Sequence, residues 1–293
     1  MGVESWGRSL TMPGEDGRSP RQDGDRAWYL YGIALGDRSL PDEPSVFRGL
    51  DDREPVQAIR YGNLTAMVSI VSLSEFSADA MRERVQDAVW LEAMVRGHER
   101  VVEAIHRGNT ILPSRFGCVY ATQGDIVAAL ARDWKALLDQ LEKVRGCDEW
   151  GIRVYAHRPT IGRRVATEDP AINQLQQSLA SVPPGRAYFL QRRLDGLLSS
   201  AIDQAIGDLA QEAFDELVGR AVAGQIGPRT SARPTADGEV EILRAAFLVR
   251  RNAESALVTK VRSIGDSHAG LRCEYSGPWP PYSFVAPVGE DRE

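Results

Sequence analysis

The stretch Gly277-Pro278-Trp279-Pro280-Pro281-Tyr282-Ser283-Phe284-Val285 constrains the fold of this chain more than any other. Its three prolines hold φ near about −65° and remove three backbone donors, which bars the segment from helix interiors and central strands. Gly277, Trp279 and Pro280 each precede a proline and are pushed toward extended geometry. The expectation is a stiff, polyproline-like strip that carries Trp279, Tyr282 and Phe284 at low entropic cost. It follows Leu271-Arg-Cys-Glu-Tyr275, whose alternation predicts a strand. The strip then either covers a sheet edge as a clasp or presents its aromatics to a partner.

Upstream, residues 1–26 hold little to bury and predict a disordered tail, and they lack the apolar core of a signal peptide. Order is expected from Trp28 to Ala34 as a strand. A hairpin is expected from Ala58–Tyr61 and Leu64–Val71 around Gly62-Asn63. One long helix is predicted over 80–107, with Leu91, Met94, Val95, His98, Val102 and Ile105 on its apolar stripe. Ile111 to Tyr120 reads as a strand interrupted by Pro113. Thr122 with Asp125 resembles a capping box opening one helix that Gly146 ends.

From Asp148 onward the pattern reads strand, helix, strand, strand, helix, strand, which is the ferredoxin-like order. Its parts are Trp150–His157, a helix over 187–222 that Gly196 or Gly207 bends, Gln225–Arg229, Glu241–Arg250, a helix capped by Asn252 and closed by Gly265, and the strand from Leu271. The fold class is therefore α+β with two domains, 27–147 and 148–286. The first is a mixed sheet with long helices; the second is modified ferredoxin-like, with a mobile loop at 230–239. Residues 287–293 form a second disordered tail.

Chemistry is sparse. There is no G-x-S-x-G, P-loop, G-x-G-x-x-G or H-E-x-x-H motif. Cys118, Cys147 and Cys273 form no C-x-x-C pair and match none of the four histidines at zinc spacing, so no metal or cofactor is expected. His98 with Cys118 is the one pair that could act as base and nucleophile, but both fall in core-like patterns, and no catalytic residue is assigned. Arg115, between Ser114 and Phe116, either makes an internal salt bridge or faces a binding groove. Arg192-Arg193 reads as ordinary surface charge. A net charge of −6, from 35 basic and 41 acidic residues, argues against a nucleic-acid partner. No apolar run approaches the ~20 residues needed to cross a bilayer, so a cytoplasmic protein without a lipid-membrane partner is expected.

The strip also carries a likeness. A chain ending in "GPWPPYSFV" after a strand resembles the gas vesicle accessory proteins of the F and L type. Tyr29-Leu-Tyr-Gly-Ile-Ala34, Ile111-Leu-Pro-Ser-Arg-Phe-Gly-Cys-Val-Tyr120, Glu149-Trp-Gly-Ile-Arg-Val154 and Ala245-Ala-Phe-Leu-Val249 agree with that family in order. The resemblance covers residues 28 to 285. It implies two α+β domains and a non-enzymatic accessory or minor structural role in gas vesicle formation, in the cytoplasm and at the vesicle. The implied partners are the small, very hydrophobic major shell protein and other accessory proteins. Arg115, Phe116, Trp279, Pro280, Pro281, Tyr282 and Phe284 are the candidate partner-binding or interdomain residues. Two alternatives stand beside this: an RNA-binding sheet using Phe247, Trp150 and Tyr155, or a small-molecule enzyme.

Overall fold

The computed structural model describes residues 25–36, 48–50, 54–179, 183–229 and 237–286. Of the expected tails 1–26 and 287–293 and loop 230–239, residues 1–24, 287–293 and 230–236 lie outside that range, and Arg26, expected in the tail, begins the first strand. The chain divides into two compact units. The first takes Met1–Gly146 and Pro280–Glu293, and the second takes Cys147–Trp279. The strip expected to lie wholly within the second domain is thus divided: Gly277–Trp279 belong to the second unit and Pro280 onward to the first.

The first unit is built on β1 (Arg26–Leu35), which pairs with β3 (Leu64–Ser72), β4 (Ile111–Pro113) and β5 (Val119–Tyr120). β2 (Gln57–Tyr61) joins β3 across the two-residue turn, and all pairings are antiparallel. Gly62 takes φ 56°, a region that side chains with a Cβ rarely enter. The expected single helix over 80–107 is two, α2 (Ala78–Arg84) and α3 (Ala88–Gly108), and a short α1 (Leu73–Phe76) precedes them. The cause is side-chain competition for backbone N–H groups. Ser72, Ser77 and Asp87 each accept from the start of the next helix, so each begins a new one. On α3 the buried stripe is His98, Val101, Val102 and Ile105.

Thr122 and Asp125 do form a reciprocal capping box, which opens α4 (Gln123–Arg132). Asp133, at φ −98° and ψ 10°, then breaks the expected single helix and starts α5 (Trp134–Val144). Gly146 ends this unit at φ 67°.

The second unit runs β6 (Cys147–His157), α6 (Arg158–Glu168), α7 (Pro170–Leu179), α8 (Pro184–Val218), β7 (Ala223–Ile226), β8 (Glu239–Arg250), α9 (Glu254–Ser267) and β9 (Leu271–Trp279). Its strands lie in the order β7-β8-β6-β9, all antiparallel. One face of the sheet buries Trp150, Ile152, Val154 and Phe247 against Leu209, Ala213 and Leu217 of α8 and Leu257, Val261 and Ile264 of α9. Helices α6 and α7 were not visible in the sequence. Ile161, Val165 and Ile172 are their only buried hydrophobics, too few to make a helical period.

α8 passes through Gly196 and Gly207 without a break and spans about 52 Å at 1.5 Å per residue. Asn252 is not a cap. It lies in a 3₁₀ turn, Arg251–Ala253, and α9 continues past Gly265 to Ser267. The proline strip is likewise not one rod. Gly277 to Trp279 extend the edge strand β9, where a missing proline donor is tolerated, and Tyr282–Phe284 form a 3₁₀ turn.

Candidate functional site

β1 places Tyr29 and Tyr31, two residues apart, on one face, and both are fully buried. Each hydroxyl is satisfied twice. Tyr31 Oη accepts from the Leu50 N–H at 2.8 Å and shares a hydrogen bond with Ser69 Oγ at 2.8 Å. Tyr29 Oη accepts from the Gly117 N–H at 3.1 Å and lies 2.9 Å from His98 Nδ1. The Tyr29 hydroxyl and His98 Nδ1 share this hydrogen bond, with the imidazole tautomer setting which of them donates. Burial supports this arrangement from both sides. It pushes Tyr29 well above the ordinary tyrosine range and lowers His98 to about 4, opposed at His98 by the Ser114 backbone. At neutral pH both groups are uncharged.

Around His98 the rings converge. Tyr29 lies 5.7 Å from it, Tyr31 stacks at 5.8 Å, Phe116 meets it edge-on at 6.2 Å and Tyr282 at 6.3 Å. Phe76 and Trp90 extend the cluster behind Tyr29. These spacings are those of favourable aromatic pairs.

Phe116 reaches this place because of its neighbours. The Ser114 N–H donates to the Tyr31 carbonyl and its hydroxyl to the Leu30 carbonyl, while the Cys118 carbonyl accepts from the Leu30 N–H. Gly117 turns at φ 86°, so Phe116 points to His98 and Arg115 stays exposed. Tyr282 arrives from the other end of the chain. Pro280 and Pro281 are buried, the Tyr282 N–H bonds the Pro280 carbonyl at 2.8 Å, and the Ala286 N–H bonds Gln140 Oε1 of α5 at 2.6 Å.

Two of the seven candidate residues, Phe116 and Tyr282, therefore meet at one histidine. Pro280 and Pro281 support the turn, Phe284 is half-buried within it, and Tyr282 remains 37% exposed. Trp279 ends β9 opposite Glu149 in the second unit. Sequence reading placed His98 on a core stripe and missed that it organises the ring cluster. The available signal was a Tyr-x-Tyr strand face together with one histidine on an apolar helix stripe.

The chemistry of the cluster is inert. Burial raises the Cys118 thiol to about 12 and lowers His98 to about 4, the reverse of an activated thiolate and its imidazolium. The residues offered for base stacking are also accounted for. Phe247 and Trp150 are buried on the helix-covered face, with Phe247 5.6 Å from Phe214 of α8. Tyr155 lies beneath the Arg272 guanidinium at 4.1 Å and donates to Glu274 at 3.1 Å. That sheet face is lined with acid–base pairs, Arg272 with Glu239 and Glu274, and Arg244 with Glu241, which hold the Glu239 and Glu274 carboxyls below their usual range. A nucleic-acid strand would meet carboxylates there instead of free rings, which removes the basis of the RNA alternative.

The chain thus comprises two antiparallel α+β units, with buried neutral rings in one and a charge-paired sheet face in the other. The family described as gas vesicle synthesis protein GvpL/GvpF matches residues 27–286, and the chain belongs to it. Gas vesicle protein L of Streptomyces sp. (strain CB03234) is 31% identical over 91% of this chain and 96% of that relative. Gas vesicle protein F of the same strain is 24% identical over 88% of this chain and 98% of its own length. The crystal structure of the gas vesicle protein GvpF from Anabaena sp. PCC7120 superimposes with a TM-score of 0.66 at 21% identity, covering 91% of this chain and 99% of that one, a likeness of fold. Membership gives the chain an accessory role associated with gas vesicles. Among the described residues, no helix is long and apolar enough to cross a membrane.

Proposed function

We propose that this protein is a non-enzymatic accessory or minor structural component that holds the small hydrophobic major shell protein during gas vesicle nucleation or assembly. The surface we assign is the rim of the His98 cluster: Tyr282, Phe116 and the outward Arg115, with Trp279 and Phe284 as further candidates. One observation carries this reading. Two of the segments that carry the family likeness, 111–120 and 277–285, bring Phe116 and Tyr282 to the same histidine, and Tyr282 stays half-exposed there. Pre-ordered Tyr and Arg side chains beside buried rings are the usual anchors of protein interfaces, because little entropy is lost when they are covered. A shell subunit not yet assembled exposes apolar surface that such a rim shields from other copies. Other gas vesicle accessory proteins are the second class of partner.

Within this reading the chain works in the cytoplasm and at the growing vesicle, with the second domain, 147–279, set in sequence between the two segments of the first. We also assign the second unit to the modified ferredoxin-like class. Its strand order β7-β8-β6-β9, with α8 and α9 on one face, supports that assignment.

The test is a pull-down of shell protein by the whole chain and by a Trp279→Ala, Tyr282→Ala double variant. Capture reduced at least several-fold in the folded variant is expected. Equal capture by both removes the strip from the interface. Deletion in a vesicle-forming host, followed by microscopy for gas-filled particles, tests the role itself; normal vesicles would overturn it.

A further inference from the structure

α8 is unusual in what it leaves uncovered. Its first half exposes Phe189 at 72%, Tyr188 at 62% and Leu197 at 41%. Further along, Leu190, Arg193, Leu197, Ser200, Gln204 and Gly207 recur at alternating steps of three and four residues, and all are exposed or half-exposed. That spacing sets the six on one stripe along the helix, with two leucines toward its start and small or polar residues beyond them. Gly196 and Gly207 lie on this outer side with open space where a Cβ would stand. A mid-helix glycine costs about 1 kcal/mol relative to alanine, and nothing within the described residues uses the room these two leave.

The charge along α8 says which occupant fits. Residues 184–200 carry Arg186, Arg192 and Arg193 against one acid, Asp195. None of these three arginines pairs with a carboxylate among the described residues. Residues 201–218 carry no lysine or arginine and five acids. Asp203 and Glu216 are neutralised by Arg158 and Lys260, but Asp208 and Asp215 are held only by the uncharged Gln204 and Gln211. The helix therefore has a basic half and an acidic half along one exposed seam.

We propose that this face is an interface with a second copy of the chain, in which two α8 helices pack antiparallel about a two-fold axis near Leu197–Ser200. In that register Leu190 of each copy lies over Gly207 of the other, and Leu197 lies over Ser200, so large side chains meet small ones. Arg186 and Arg193 come within one helical turn of Asp215 and Asp208 across the axis, twice over by symmetry. A parallel pair would set basic half on basic half. The inference goes beyond the proposed function and does not rest on it.

Sedimentation equilibrium on the whole chain from roughly 1 to 100 μM tests it, a range that resolves a micromolar dimer. Wild type should be a monomer–dimer mixture. A chain with Arg186→Glu and Arg193→Glu should dimerise roughly ten- to a hundred-fold more weakly, as should one with Asp208→Arg and Asp215→Arg. Mixing the two should restore a heterodimer, because each reversed half then faces its opposite. Leu197→Gln, at an exposed position, should weaken the dimer without altering helicity. Monomeric wild type throughout, unchanged dimerisation of the reversed chains, or a mixture that stays monomeric would each overturn the proposal.

Discussion

Replacing His98 by leucine should change how stability depends on pH, and the size of the effect follows from where the ring sits. His98 is 2% exposed, and burial lowers it from 6.5 to about 4. Between those values the unfolded chain binds a proton that the folded chain does not. Stability is therefore full above pH 6.5 and is lost as pH falls toward 4, the direction required when the unfolded state is the more protonated. At 1.36 kcal/mol per unit the whole loss is about 3 kcal/mol, of which about 2 kcal/mol has gone by pH 5. Carboxylate pairs such as Arg272–Glu239 also weaken in acid, but equally in wild type and variant. Urea unfolding of both proteins at pH 7.5 and pH 5 isolates the histidine. His98→Leu should be less stable than wild type at pH 7.5, because it strands the Tyr29 hydroxyl, and this deficit should shrink by about 2 kcal/mol at pH 5. A deficit that stays constant, or grows in acid, would refute the picture of a neutral, buried imidazole hydrogen-bonded to Tyr29.

Three further outcomes are expected. Tyr29→Phe leaves the Gly117 N–H and His98 Nδ1 buried without their partner, so it should cost about 2 kcal/mol in the same assay, and its effect should be non-additive with His98→Leu. Gly62→Ala should destabilise by about 1–3 kcal/mol, since φ is 56° and the new methyl would stand 2.2 Å from the Trp134 ring. Gly196→Ala, with open space around it, should instead stabilise the monomer by up to about 1 kcal/mol, seen as a higher melting temperature by calorimetry in dilute solution.

The elements that were legible in the sequence are those with a strong local signal. Gly62-Asn63 between alternating runs gave the hairpin, and Thr122 with Asp125 gave the capping box, because both are decided by neighbouring residues. The breaks at Asp87 and Asp133 were hidden, since each falls inside what reads as one continuous helix; at Asp87 a carboxylate takes the N–H groups of the next turn, and at Asp133 the backbone itself leaves helical geometry. Helices α6 and α7 were hidden for the opposite reason: too few of their side chains are buried to leave a period. At the candidate site, Phe116 and Tyr282 were named from the two family-like segments. Their meeting at His98 joins positions far apart in the chain, and no local pattern reports such closure. Trp150 and Phe247 show the same blindness. A strand's alternation says that two faces differ, but not which one the helices cover.

The first unit is assembled from the two ends of the chain, with 147–279 inserted between them. During synthesis the inserted unit has all its residues available before Pro280–Ala286 leave the ribosome, whereas the earlier-made unit must wait for its final turn. A molecule lacking Tyr282 and all that follows it would therefore carry its damage far from the lesion in sequence, around a histidine made long before.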